Sequence, residues 1–155
     1  MSRPDWCAFF DANISFRLCR MIQALEEGMR TVVHATEHPG LQAGQNPWGN
    51  STSDVAWIAI LSADQANWVA ISKDTRIIDT PHEREALEQA DLTFLAFDGY
   101  FANADRYGQA LQLVRMWPQI VQRADAGERG VFLVRPKQEE IRQILPGFNS
   151  KGRRM

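Results

Sequence analysis

The chain has 155 residues, 45% of them apolar, with a formal charge of −2 and a sequence pI near 5.9. That length suits one core of ordinary size, and the acidic balance excludes a protein that coats nucleic acid through many Lys and Arg side chains neutralising phosphates. The charge is unevenly placed: residues 1–99 carry seven basic and fourteen acidic side chains, whereas residues 100–155 carry ten and five. An acidic part beside a basic flank suits an enzyme that holds a cation and acts on a polyanion. No apolar run approaches membrane-spanning length, and no basic start leads into an apolar stretch as in a signal peptide. A single cytoplasmic domain over residues 1–146 is expected, with no membrane partner and a frayed basic tail over 147–155.

Cys7 to Phe10 is short and continuously apolar, as a strand buried on both faces should be, and it ends at Asp11. Asn13 or Ser15 can cap the following helix, in which Ile14, Leu18, Ile22 and Leu25 recur at helical spacing until Gly28 stops it. A second strand is expected over Thr31 to Ala35. The stretch from Glu37 to Ser53 has no periodicity and is rich in Gly, Pro, Asn and Gln, which marks a long functional loop or partner-binding segment. Within it, Trp48 can stack on a base or pin the loop to the core.

Val55 to Leu61 is apolar without a break, but Ala56, Ala59 and the cap candidates Ser53 and Asp54 favour a helix. Trp68 to Ser72 is the next strand and runs into Asp74. Thr80 to Glu83 looks like the entry to a short helix ending near Gln89, and Leu92 to Phe97 is another strand, followed by Asp98. From Ala104 a helix is expected with Tyr107, Leu111, Val114, Trp117 and Val121 on its buried stripe, kinked or divided at Pro118. Gly130 to Val134 should be a strand and Gln138 to Leu145 a short helix. Strands alternating with helices predict an α/β fold, a three-layer sandwich with a mainly parallel central sheet.

Asp11, Asp54 and Asp74 each stand where an apolar run meets a turn or a helix start. If the first and third strands are parallel neighbours, these carboxylates gather at one rim of the sheet, and such a cluster needs a cation. Oxygen ligands of this kind suit Mg²⁺ or Mn²⁺. Each aspartate also has a bland alternative: a helix cap for Asp11, although Asn13 and Ser15 lie closer to the helix start, a cap for Asp54, and a turn for Asp74. Lys73, Arg76 and Arg84 near the third aspartate can receive phosphates or pair with Asp79, Glu83 and Glu85. Lys137, Lys151, Arg153 and Arg154 can add phosphate contacts from the basic end. Cys7 and Cys19 lack the spacing of a zinc or redox site, as do His34, His38 and His82. Trp57, Trp68 and Trp117 are most simply core residues.

The segments Phe9-Phe10-Asp11-Ala12-Asn13-Ile14-Ser15, Ser53-Asp54-Val55-Ala56-Trp57-Ile58 and Val69-Ala70-Ile71-Ser72-Lys73-Asp74 resemble, in order and spacing, a compact branch of the PIN-like domains similar to the VapC-type toxins of bacterial toxin–antitoxin pairs. The resemblance implies a Mg²⁺- or Mn²⁺-dependent endoribonuclease with Asp11, Asp54 and Asp74 as catalytic metal ligands. It also implies an RNA substrate and a cognate antitoxin, and it allows a homodimer. Larger PIN domains carry a further acidic residue on a helix where this chain has the uncharged stretch Leu41 to Ser53, so one metal ion is expected, with Asn13 and Asp98 as additional candidates. Two alternatives remain: a PIN-like binding module without catalysis, and a phosphate-handling α/β hydrolase. The second lacks the Asp expected two residues after a phosphatase nucleophile, and no Gly-rich phosphate loop is present.

Overall fold

A computed structural model of the protein describes residues 5–37 and 54–146, and for residues 54–56 the backbone alone. The expected loop from Glu37 to Ser53, with Trp48 and His38, and the basic residues of the tail therefore lie outside the described residues, Glu37 itself excepted.

The apolar runs form strands β1 (Cys7–Phe10), β2 (Val32–His34), β3 (Trp68–Ser72), β4 (Thr93–Phe97) and β5 (Gly130–Arg135), to which β6 (Glu140–Pro146) is added. They make one sheet in the order β2-β1-β3-β4-β5-β6, parallel throughout except for the antiparallel pair β5 and β6. Helices α1 (Phe16–Leu25), α2 (Asp54–Ala63), α3 (Arg76–Asp79), α4 (Pro81–Gln89), α5 (Gly99–Ala102) and α6 (Arg106–Asp125) cover it. Alternate residues of each strand face opposite ways. Ala8, Phe10, Ile71, Phe97 and Val134 thus pack with Leu18, Ile22, Met116 and Ile120 of α1 and α6. Phe9, Ala70, Phe94 and Val131 pack on the other face with Trp57, Leu61, Ile77 and Leu87 of α2, α3 and α4. This is the expected three-layer α/β sandwich, and the three tryptophans assigned to the core are buried in it. No described helix is long and apolar enough to cross a membrane.

Ser15 caps α1 by accepting from the Arg17 amide at 3.1 Å, and Gly28, at φ 80°, turns the chain away from the helix end. Glu26 at the C-cap is buried. Its carboxylate accepts from Trp117 Nε1 at 2.9 Å and is paired with Arg30, whose guanidinium lies 4.5 Å from the Trp6 ring centroid and reaches Asp125 at 3.5 Å. This buried polar network ties α1 to α6.

Three expectations are corrected. Gln138 to Leu145 is not a helix, because the i, i+3, i+4 spacing of Ile141, Ile144 and Leu145 arises from a strand with an irregular register. Phe132 pairs with Gln143 and Val131 with Leu145, so Ile144 is the extra residue that sends Ile141 to one core and Leu145 to the other. The strand begins after Glu139, which takes a left-handed φ of 52°.

The stripe assigned to the core on α6 is also displaced. Tyr107, Leu111 and Val114 are exposed, whereas Trp117 of the expected stripe is buried and Val121 packs partly buried against the core; the helix also buries Gln109, Gln112, Leu113, Met116, Ile120 and Ala124. Gln109 faces inward because its Nε2 donates to the Phe101 carbonyl at 3.0 Å. Finally, Pro118 does not divide α6. The helix continues to Asp125, since Pro118 is exposed and the carbonyl it leaves without an N–H partner belongs to the solvent-facing Val114.

Candidate functional site

The strand order 2-1-3-4-5 is that of a doubly wound sheet whose connections leave in opposite directions from β1, opening a crevice between the carboxyl ends of β1 and β3. Asp11 follows β1 and Asp74 follows β3 by two residues, so both lie at this switch point. β1 and β3 are parallel neighbours in the register Phe10 to Ile71, and the Asp11 amide continues the ladder by donating to the Ile71 carbonyl at 2.9 Å.

Ser72 joins the two loops. Its hydroxyl donates to Asp11 Oδ2 at 3.0 Å, and its oxygen accepts from Asn13 Nδ2 and from the Asp74 amide, each at 3.1 Å. Asn13 Oδ1 in turn accepts from the Lys73 amide at 3.3 Å, while Asp11 Oδ1 accepts from the Ala12 amide at 2.6 Å. Asp11 is only 6% exposed and Ser72 is fully buried, so this network holds a carboxylate in a fixed orientation at the floor of the crevice. The sequence signal for Ser72 was its place as a polar residue at the end of an otherwise apolar buried strand, which requires hydrogen-bond partners.

Asp74 is held differently. Arg76 donates to it from the backbone amide at 3.0 Å, from Nε at 3.0 Å and from Nη2 at 3.1 Å, and this pairing lowers the Asp74 pKa below the ordinary carboxylate value despite opposing desolvation. The Arg76 side chain is 86% exposed, so the ion pair contributes no more than about 1 kcal/mol and can open readily. A depressed folded-state pKa adds stability above the unfolded value of about 3.9, and that contribution is lost as the pH falls through the lower folded value. In Arg76→Gln the Asp74 carboxyl should therefore titrate at higher pH than in the parent, measured by carbon-detected NMR. An unchanged Asp74 midpoint would contradict the assigned cause.

An open groove of 390 Å³ extends from these loops, lined by Asn13, Lys73, Asp74, Arg76, the α5 residues Gly99 and Ala102, and the α5 C-cap Asn103. Asp98 stands beside it as the N-cap of α5, accepting from the Phe101 amide at 3.2 Å. Arg84 does not line the groove. It reaches Glu88 at 3.6 Å and the Ile78 carbonyl at 3.5 Å. Asp54 opens α2, and its side chain is outside the described residues. His34 closes the far side of the Asp11 loop, with Nε2–H donating to the Ile14 carbonyl at 2.7 Å and Nδ1 accepting from Thr36 Oγ1 at 3.0 Å.

A larger cavity, 670 Å³, lies at the opposite rim among Trp6, Arg30, Asn67 and Asp125. Two of its charged groups are engaged, Arg30 with Asp125 and Asp125 also with Trp6 Nε1 at 2.9 Å, and it is remote from the carboxyl ends where ligands of such sheets bind. The smaller groove is the better candidate for chemistry.

Carboxylate and amide oxygens of Asp11, Asp74 and Asn13 are hard donors of the kind Mg²⁺ and Mn²⁺ take, together with waters. Among the described residues no group of three His, Cys, Asp or Glu side chains is assembled to hold a metal ion. The donor chemistry fits such a cation, and Arg76 would have to move off Asp74 for both carboxylates to serve it.

No curated protein and no solved structure matches the chain. A family model described as a PIN-like domain matches residues 7–99, from β1 to the first residue of α5, and the chain belongs to this family, whose domains are generally nucleases.

Proposed function

We propose that the protein is a Mg²⁺- or Mn²⁺-dependent endoribonuclease acting as the toxin of a toxin–antitoxin pair, with Asp11, Asp54 and Asp74 as its acidic ligands. The observation that supports this most is the buried Asp11 carboxylate, oriented by Ser72 and the Ala12 amide at the switch point of the sheet. A divalent cation supplies neutralisation of phosphate charge and a lowered pKa for the attacking water.

The chain's own residues do the positioning. Asp11 and Asp74 present oxygens from adjacent strand ends, Asn13 is fixed between Ser72 and the Lys73 amide, and Lys73 and Arg76 bring positive charge to the groove where a phosphate would enter. Asp98 serves α5 as a cap and stands as a reserve ligand. The reaction is hydrolysis: water attacks phosphorus, the P–O bond to one ribose oxygen breaks, and that oxygen takes up a proton.

Incubation of the purified protein with single-stranded RNA tests the reading. Cleavage is expected with Mg²⁺ or Mn²⁺, with loss in excess chelator and recovery when the cation is restored. Cleavage undiminished by the chelator would overturn the metal-dependent mechanism. A second reading, a binding module without catalysis, is favoured by the Arg76 fork across Asp74. It predicts RNA binding without cleavage under any cation.

A further inference from the structure

We propose that Tyr100 and Lys137 form a nucleotide subsite beside the Asp11 crevice, Tyr100 stacking on an unpaired base and Lys137 holding an adjacent phosphate. The inference rests on the ribonuclease reading and extends it to how the substrate strand lies. Helix α5 and its C-cap divide their residues three ways: Phe101 is fully buried, Gly99, Ala102 and the C-cap Asn103 face the groove, and Tyr100 is left 52% exposed on the flank. The Lys137 ammonium, from the turn after β5, sits 5.6 Å from the Tyr100 ring centroid.

Along the rim the order is Asn13 after β1, Lys73 and Arg76 after β3, α5 after β4 and Lys137 after β5. Three strand spacings, about 14 Å, separate the first of these from the last, which is within reach of a short single strand. A ring alone would suit any apolar partner. A ring beside an ammonium, on the same rim as Lys73 and Arg76, offers the π-face and the cations that a single-stranded nucleic acid requires. Asp98, two residues from Tyr100, is engaged as the α5 cap, and Glu140, three residues from Lys137, is paired with Arg135 and Arg142, which leaves the exposed Glu139 as the neighbouring acid.

The test measures binding of a fluorescein-labelled single-stranded RNA in chelator, using the full chain and Tyr100→Ala, Tyr100→Phe and Lys137→Gln. Tyr100→Ala should weaken binding about tenfold and Tyr100→Phe less than about twofold. Lys137→Gln should reduce the slope of log affinity against log salt by about 0.7. An abasic position scanned along the RNA should, at one site, cost the parent about as much as Tyr100→Ala does, and cost Tyr100→Ala nothing further. Parent-like binding by Tyr100→Ala, or an equal abasic penalty in both proteins, overturns the subsite. If the parent still cuts RNA with Mg²⁺ in that case, the subsite alone falls. A parent that neither binds nor cuts removes both proposals, whereas Tyr100-dependent binding without cleavage retains the subsite and removes the catalytic reading.

Discussion

Asp11→Asn should lose RNA cleavage by on the order of 10³-fold, the scale seen when one preorganised electrostatic group is removed from an active site. The side chain keeps its volume, and its remaining oxygen can accept from the Ala12 amide, but the new amide group meets a Ser72 oxygen whose two lone pairs already accept from Asn13 Nδ2 and the Asp74 amide. Stability should therefore fall by about 1–3 kcal/mol, the cost of one buried polar group left unpaired. The negative charge that a cation requires is gone. Thermal unfolding without metal and cleavage with Mg²⁺ on one preparation separate the two effects. Parent-level cleavage by a folded Asp11→Asn protein would exclude Asp11 from the chemistry.

The largest expected loss of stability comes from Glu26→Ala, far from that site. Glu26 is 7% exposed and accepts from both Trp117 and Arg30, so truncation leaves a buried indole N–H and a nearly buried guanidinium without their carboxylate. Breaking one side of such a pair costs about 3–5 kcal/mol, a large part of the 5–15 kcal/mol that holds an ordinary domain together. Denaturant unfolding should show the midpoint falling at an unchanged slope. A loss below about 1 kcal/mol would mean that Asp125 and Trp6 alone compensate Arg30.

What the sequence made legible follows from which interactions are local. β1 and β3 were readable because strands buried on both faces are unbroken apolar runs, and the aspartates closing them marked the rim before any pairing was known. The α2 helix was readable from its alanines and the Ser53-Asp54 start, although Val55 to Leu61 could equally have been a buried strand.

The face of α6 was not readable. Tyr107, Leu111 and Val114 make as regular a stripe as the buried one, and the deciding contact, Gln109 with the carbonyl of Phe101, exists only once α5 is in place. β6 was hidden for a related reason, since its extra residue at Ile144 imitates helical spacing. At the site, Asp11 and Asp74 were legible as a pair, but the three-way bonding of Ser72 and the Arg76 cover on Asp74 depend on tertiary placement. The weight placed on Arg84 came from its nearness in sequence, whereas α4 directs it to Glu88.

Titration with Mn²⁺, read as paramagnetic broadening of backbone amide signals, tests most directly whether the β1/β3 crevice is the metal centre of this nuclease-family domain. Broadening should appear first at Ala12, Asn13, Lys73 and Asp74 and should diminish in Asp11→Asn, while Thr31 and Asn67 at the opposite rim stay sharp. Broadening centred on Thr31 and Asn67, or none at the crevice at cation concentrations that support cleavage, would contradict the account.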